Sequence, residues 1–247
     1  MEFKIVGDKK NPVMVWIHAM MTTSASFKEL IEYFKEDYYI ILPTLDGHTV
    51  KTESTFPSIK EETAKIVNFL KKREIEEVEL LLGVSFGGII ALDLFCQKEI
   101  KVKHSFFDGV PLEKAPLWKM KAGEIALKNL IHQSAKHPEK SNLLDEVYGS
   151  QAPHMKEICK RLSDTSLKNM TRSSYAYQLP TKLLVEEGQS VTFYYGSEEP
   201  TKECIPKIKT FKNCHIIEKA GYRHCEYLAK APEEYAVMLK QILKEQK

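Results

Sequence analysis

The residues best suited to covalent chemistry lie in one pentapeptide, Gly83-Val84-Ser85-Phe86-Gly87. An apolar run short enough for a buried strand precedes it, and a segment long enough for a helix follows it. A sharp turn between the two lifts a serine clear of a sheet, and small flanking residues let strand and helix approach closely. The helix N-terminus also favours negative charge beside the hydroxyl. The pattern predicts that Ser85 is a nucleophile for carbonyl carbon. The alternative is a glycine-rich turn that holds a serine by chance.

A nucleophile in such a turn must be positioned by a sheet, and the other apolar runs predict its strands. The predicted strands are 1–6, 13–17, 38–42, 80–84, 102–107, 191–195 and 214–218. Two pairs, Ser26 with Glu29 and Ser58 with Glu61, have the spacing of a capping box and predict helix starts. The stretch between the fifth and sixth of these runs has amphipathic helical patterns at 120–136, 154–162 and 167–179 and no clear strand.

The order of the motifs resembles the α/β-hydrolase superfamily over nearly the whole chain. The Ser85 turn is followed by the acidic turn Gly196-Ser197-Glu198-Glu199-Pro200 and then by His224, which matches the family order of serine, acid and histidine. The resemblance implies an α/β fold, with a mostly parallel twisted sheet flanked by helices and a helical cap inserted after the sixth strand. Residues 1–110 and 189–247 would form the core and residues 111–188 the cap, all within a single domain.

The resemblance also implies the roles of the acid and the base. The family places its acid three residues after the glycine of the acidic turn, which corresponds to Glu199, and its base after the last strand, which corresponds to His224. Glu198 is the neighbouring candidate for the acid, and Asp108, at the end of an earlier strand, is the distant one. A solvated acidic turn and a surface histidine are the structural alternatives.

Two backbone N–H groups would form the oxyanion hole, those of Met20 and Phe86, as the resemblance implies. Ala19 stands where the family has glycine, which restricts the loop and leaves the first donor open by one residue. His18 is interpreted as a histidine that fastens this loop. Asp46 and His48 are interpreted in the same way, as loop-fixing side chains, in preference to a second dyad.

Composition excludes several classes of function. The chain has 247 residues, 43% of them apolar, and a formal net charge of +2 without a basic face for nucleic acid. The sequence shows neither a signal peptide nor an apolar run of membrane-spanning length, and its five cysteines have no C-x-x-C spacing. We therefore expect a cytoplasmic protein with no membrane or nucleic-acid partner. We expect no metal and no cofactor, because histidine ligand spacing and a dinucleotide fingerprint are both missing. Oligomeric state is left open.

Together these features predict a serine hydrolase that cleaves a small to medium carboxylic ester, thioester or lactone through an acyl-enzyme on Ser85. A non-catalytic or weakly hydrolytic small-molecule-binding protein on the same fold is the alternative. Large side chains of the helical stretch could line the substrate pocket or could simply attach the cap to the core. They are Trp118, Tyr148, Met155, Met170, Tyr175 and Tyr177.

Overall fold

A single sheet organises the chain. The computed structural model describes residues 1–49, 51–112 and 116–244. Within them, seven strands hydrogen-bond in the order β1-β3-β2-β4-β5-β6-β7. The strands are β1 (Glu2–Val6), β2 (Val13–Ile17), β3 (Tyr39–Thr44), β4 (Glu77–Val84), β5 (Lys101–Asp108), β6 (Ser190–Gly196) and β7 (Cys214–Lys219). Only the pairing of β1 with β3 is antiparallel. The prediction of a mostly parallel sheet is confirmed.

The central strands are apolar on both faces because helices cover both sides of the sheet. In β2, Val15 and Ile17 belong to one core cluster, whereas Met14 and Trp16 belong to the other. Successive side chains of a strand point to opposite faces, so this division follows from the strand period. A continuous apolar run at this position is therefore what a strand buried on both faces requires.

Helices flank the sheet on both sides. In chain order they are α1 (Lys28–Glu32), α2 (Ile59–Lys71), α3 (Phe86–Gln97), α4 (Leu117–Lys136), α5 (Leu143–Tyr148), α6 (Ala152–Cys159), α7 (Asp164–Ala176), α8 (Ile205–Ile208), α9 (Glu226–Lys230) and α10 (Pro232–Lys244). Residues of α2 and α3 pack in the core cluster on one face, and residues of α1 and α10 pack in the cluster on the other. The sheet is thus enclosed between two helical layers.

The two predicted capping boxes have different outcomes. Ser58 caps α2, since its hydroxyl accepts from the Glu61 N–H at 3.2 Å. Ser26 does not begin a helix, because a 3-10 turn starts earlier, at Ser24, with Thr23 as its cap. The Ser26 hydroxyl donates to the Thr23 carbonyl at 2.9 Å, which is a bond within the 3-10 turn and not a cap of a following helix.

The helical segment lies between β5 and β6, and we call helices α4–α7 the helical insertion. It follows the fifth strand rather than the sixth, which corrects the position predicted above. The count differs by one because a single strand, β1, comes before the parallel strands β2–β7. The turn 7–12 between β1 and β2 contains no further strand. The insertion also contains a helix that the periodicity did not predict, α5, whose start is capped by Asn142 and Asp145.

Candidate active site

The turn that carries Ser85 is strained and closely packed. Ser85 has φ +51° and ψ −116°, a backbone conformation that residues with a Cβ rarely adopt. The strand and the helix can approach this closely because glycines flank the serine. A Cβ on Gly87 would lie 2.3 Å from the His18 carbonyl oxygen, and a Cβ on Gly83 would lie 2.6 Å from the Cα of Gly88. The start of α3 therefore rests against the backbone that follows β2, which brings the loop 18–23 beside Ser85.

Three side chains form a hydrogen-bonded chain at the carboxyl ends of the strands. Ser85 Oγ lies 2.7 Å from His224 Nε2, and His224 Nδ1 lies 2.6 Å from Glu199 Oε2. A carboxylate only accepts hydrogen bonds, so the imidazole donates through Nδ1 and Nε2 is free to accept the serine proton. An arrangement of this kind can pass a proton from a serine to a histidine that a carboxylate orients.

Glu199 is buried and held on both oxygens. The Gly196 N–H donates to Oε1 at 2.6 Å, and the Thr201 hydroxyl donates to Oε2 at 2.7 Å. Gly109 packs against the acid–histidine contact, since a Cβ at its φ of +60° would lie 2.9 Å from both Glu199 Oε2 and His224 Nδ1. Any larger residue at position 109 would press on this hydrogen bond.

The environment of His224 favours its protonated form. Burial lowers the pKa of His224, but contacts with Cys225 and Glu199 raise it, and the net direction is well above 6.5. Burial also raises the pKa of the Cys225 thiol, which is therefore neutral near pH 7. The charge that stabilises the imidazolium is consequently that of Glu199.

His18 fastens the loop after β2. The Leu45 N–H donates to His18 Nε2 at 3.0 Å, so the ring proton is on Nδ1, which donates to the Ala19 carbonyl at 2.8 Å. The ring is fully buried, and this burial, together with the neighbouring His48, holds its pKa well below the ordinary value. His18 is thus a neutral structural link between two loops.

His48 holds the same loop at a second point. Its Nε2 accepts from the Met21 N–H at 3.1 Å, and burial lowers its pKa to about 4. Met21 has φ +62°, so the left-handed turn of this loop is made by a methionine. His48 therefore fixes the amide next to that of Met20, the predicted oxyanion donor.

A cavity of about 600 Å³ opens over the serine. The core contributes Ser85, His224 and the loop residues Met20 and Met21 to its wall. Helices of the insertion contribute a further part of the wall, including Lys119, Leu127, Tyr148, Met155, Ser174 and Tyr175. The helices between β5 and β6 therefore enclose space in front of the hydroxyl.

Comparison with known proteins decides the fold. No family model matches the chain, and no curated protein matches it significantly. Solved structures match it along nearly its whole length. An alpha/beta hydrolase family protein from Desulfitobacterium hafniense aligns with a TM-score of 0.81 at 21% identity, covering 98% of this chain and 100% of that one. The chain has the α/β-hydrolase fold.

Other structures with the α/β-hydrolase fold align almost as well. A carboxylesterase from Nitrososphaera gargenis matches with a TM-score of 0.72 at 18% identity, covering 100% of this chain and 96% of that one. A bromoperoxidase from Bacillus anthracis matches with a TM-score of 0.75 at 16% identity, covering 98% of this chain and 95% of that one. These proteins are named for different reactions, so the fold alone does not give the activity of this chain.

The other two candidate acids of this α/β-hydrolase fold lie outside the hydrogen-bonded chain. Glu198 is exposed. Asp108 is fully buried at the end of β5 and accepts from the Tyr235 hydroxyl at 2.8 Å. Burial and the charge of Glu199 raise the pKa of Asp108 to about 7. Its Oδ1 has no hydrogen-bond partner among the described residues.

The candidate pocket residues separate into two groups. Tyr148, Met155 and Tyr175 line the cavity, whereas Met170 is buried in the core and Trp118 is 72% exposed. Tyr177 packs against the core and does not line the cavity. Amphipathic spacing alone could not distinguish these cases, because both the core and the cavity lie under the same helices.

Several residues around the site were not anticipated from the sequence. Thr201 and Tyr235 each donate to a buried carboxylate, and Cys225 follows the histidine with φ +58°. Only Thr201 had a sequence signal, a hydroxyl two residues after the candidate acid Glu199. Across residues 1–49, 51–112 and 116–244, no cluster of three or more His, Cys, Asp or Glu side chains is arranged to bind a metal ion. Over the same ranges, no helix combines the length and apolarity that a membrane span needs.

Proposed function

We propose that the protein is a serine hydrolase that cleaves a small to medium carboxylic ester, thioester or lactone through an acyl-enzyme on Ser85. The observation that carries the proposal is the continuous chain from Ser85 Oγ to His224 at 2.7 Å and from His224 to Glu199 at 2.6 Å. Its members come from three separate loops, at the ends of β4, β6 and β7, and meet beside one cavity.

Acylation follows from this geometry. Ser85 Oγ attacks the carbonyl carbon while its proton passes to His224 Nε2, and Glu199 stabilises the imidazolium that forms. The tetrahedral intermediate then expels the alcohol or thiol, which takes that proton from Nε2. The acyl group remains as an ester on Ser85, and His224 is neutral again.

Deacylation repeats the sequence with water. His224 Nε2 removes a proton from a water molecule, whose oxygen attacks the acyl carbon, and the proton returns to Ser85 Oγ as the acid product leaves. The free imidazole Nε2 is the acceptor that both half-reactions require.

Two amides are proposed to stabilise the oxyanion. The Phe86 N–H is in the first turn of α3, where backbone N–H groups have no partner within the helix. The Met20 N–H precedes the amide that His48 holds. Preorganised donors of this kind stabilise charge as it develops in the transition state.

The helical insertion is proposed to act as a cap that limits substrate size. It supplies one side of the cavity, and residues 111–188 can be assigned to it, with the core formed by 1–110 and 189–247. The apolar part of the wall, which includes Met20, Met21, Leu127 and Leu228, suits an acyl or alcohol group of modest length.

Turnover of p-nitrophenyl butyrate by the wild type and by Ser85→Ala tests this function. We expect turnover by the wild type and none by the variant. A serine-directed fluorophosphonate should label the wild type once, and peptide mapping should place the label on Ser85. A folded wild-type protein that neither turns over short esters nor takes up the label would instead support the non-catalytic binding protein.

A further inference from the structure

A glycine in the middle of α4 lies directly against a tyrosine of α7. A Cβ built on Gly123 would lie 2.1 Å from the Tyr175 hydroxyl oxygen and 2.7 Å from Cζ, closer than any real contact. Glycine inside a helix costs about 1 kcal/mol relative to alanine. The contact with Tyr175 explains why glycine stands at this position, because only a residue without a side chain leaves room for the phenol.

This contact forms part of the cavity wall. Lys119 and Leu127 line the cavity and lie four residues on either side of Gly123, so all three share one face of α4. Tyr175 lines the cavity as well, together with Ser174 of the same helix. The phenol therefore covers α4 between Lys119 and Leu127, where it separates the cavity from the helix backbone.

A second pair of residues also lies between the two helices. Arg172 Nε lies 4.0 Å from Glu124 Oε2, next to the glycine on α4 and one turn before the tyrosine on α7. The Tyr175 ring meets α4 by direct steric contact over Gly123. The ring is thus held by fit, and its position depends on the empty space over Gly123.

We propose that Tyr175, seated on Gly123, is a specificity-determining residue that sets the longest substrate group the cavity accepts. The proposal rests on the proposed function, since it concerns the substrate of the same site. Removing the ring lengthens the cavity toward α4. Adding a methyl group at position 123 pushes the ring away from α4 and into the cavity, which shortens it.

The measurement is the ratio of kcat/KM for p-nitrophenyl octanoate to that for p-nitrophenyl acetate. Tyr175→Ala should raise this ratio by about tenfold, because a few buried methylene groups discriminate by that order. Gly123→Ala should lower the ratio by a similar factor, and the melting temperature should change little, because the helix propensity that alanine adds offsets the cost of displacing the ring. Tyr175→Phe keeps the ring and should keep the ratio.

Two controls isolate the contact. In the double variant Gly123→Ala/Tyr175→Ala, the alanine at 123 should lose its effect, because the ring through which it acts is gone. Tyr177→Ala removes a nearby aromatic side chain that does not line the cavity, so its ratio should match the wild type. Ratios for Tyr175→Ala and Gly123→Ala equal to the wild-type ratio would overturn the proposal.

A second readout separates this proposal from the proposed function. Ser85→Ala protein is mixed with methyl octanoate or methyl butanoate, and the rise in melting temperature reports binding without turnover. Adding Tyr175→Ala should increase the shift for methyl octanoate, and adding Gly123→Ala should decrease it. If no ester is hydrolysed by the wild type, the hydrolase assignment fails, while these shifts still support or overturn the role of Tyr175.

Discussion

Tyr235 donates a hydrogen bond to Asp108 at 2.8 Å, so the carboxylate at the end of β5 is held by the last helix and not by His224. The imidazole is instead bound by Glu199, at the end of β6. The candidate site therefore has two buried carboxylates with different partners. One accepts from a histidine, a backbone amide and a threonine, and the other accepts from a tyrosine alone among the described residues.

The first prediction concerns the acid. Glu199→Gln should lower kcat by roughly 10⁴-fold, because the imidazole loses the charge that orients it and stabilises its protonated form. Asp108→Asn should retain most of kcat. Glu198→Gln is the matched control, since it makes the same change on the adjacent, exposed residue. Steady-state kinetics on p-nitrophenyl butyrate, with circular dichroism as a check on folding, decide the matter. If Asp108→Asn loses most of kcat while Glu199→Gln keeps it, the orienting acid is Asp108 at the end of β5.

The second prediction concerns stability. The pKa of Asp108 in the folded protein is about 7, above its ordinary value of 3.8. A carboxyl group with a raised folded pKa favours folding while it is protonated, so its contribution is lost as pH rises from about 4 to about 7. Asp108→Asn cannot ionise and should be more stable than the wild type at pH 8, by at most about 4 kcal/mol. Urea unfolding at pH 5 and pH 8 should show a gap between the two proteins that widens with pH. A gap independent of pH would contradict the burial of an ionisable Asp108.

The third prediction concerns the loop after β2. His48→Phe removes the acceptor for the Met21 N–H, so the adjacent Met20 amide should lose its position. We expect kcat to fall roughly 10- to 100-fold with little change in KM, as when an oxyanion donor is misplaced. His48→Gln offers an acceptor again and should recover part of kcat.

A matched control for the loop is available in the sheet. His104→Phe also removes a buried histidine, one that contacts Ser190 at 2.8 Å and does not line the cavity. It should cost stability but leave kcat within a few fold of the wild type. Equal losses of kcat in His48→Phe and His104→Phe would show that the effect is general destabilisation.

The fourth prediction concerns pH. A general base acts only when it is neutral, and the pKa of His224 is raised above 6.5. The value of kcat/KM should therefore fall as pH drops through a pKa above 6.5, and rise to a plateau at alkaline pH. Glu199→Gln removes the charge that raises this pKa, so the acidic limb of its residual activity should move to lower pH. An acidic limb that stays in place would indicate that Glu199 is not the source of the shift.

The sequence by itself determined the features that depend on neighbours in the chain. The strand, turn and helix around Ser85 follow from an apolar run, small residues and a helical pattern in succession, and the resemblance carried by the motifs implied the α/β fold. The helix start at Ser58 could be read in the same way, because a cap and its partner are three residues apart. The order of the serine, acidic and histidine motifs was also visible without coordinates.

Only the tertiary structure decided the features that depend on residues far apart in the chain. The distance from Tyr235 to Asp108 spans 127 positions, and that from His48 to Met21 spans 27. Burial, which sets the pKa of Asp108 and of His48, exists only after helices from both ends of the chain have covered the sheet. The contact of Tyr175 with Gly123 likewise requires α4 and α7 to pack against each other. No local pattern encodes such contacts, because they arise from the registration of strands and helices against one another.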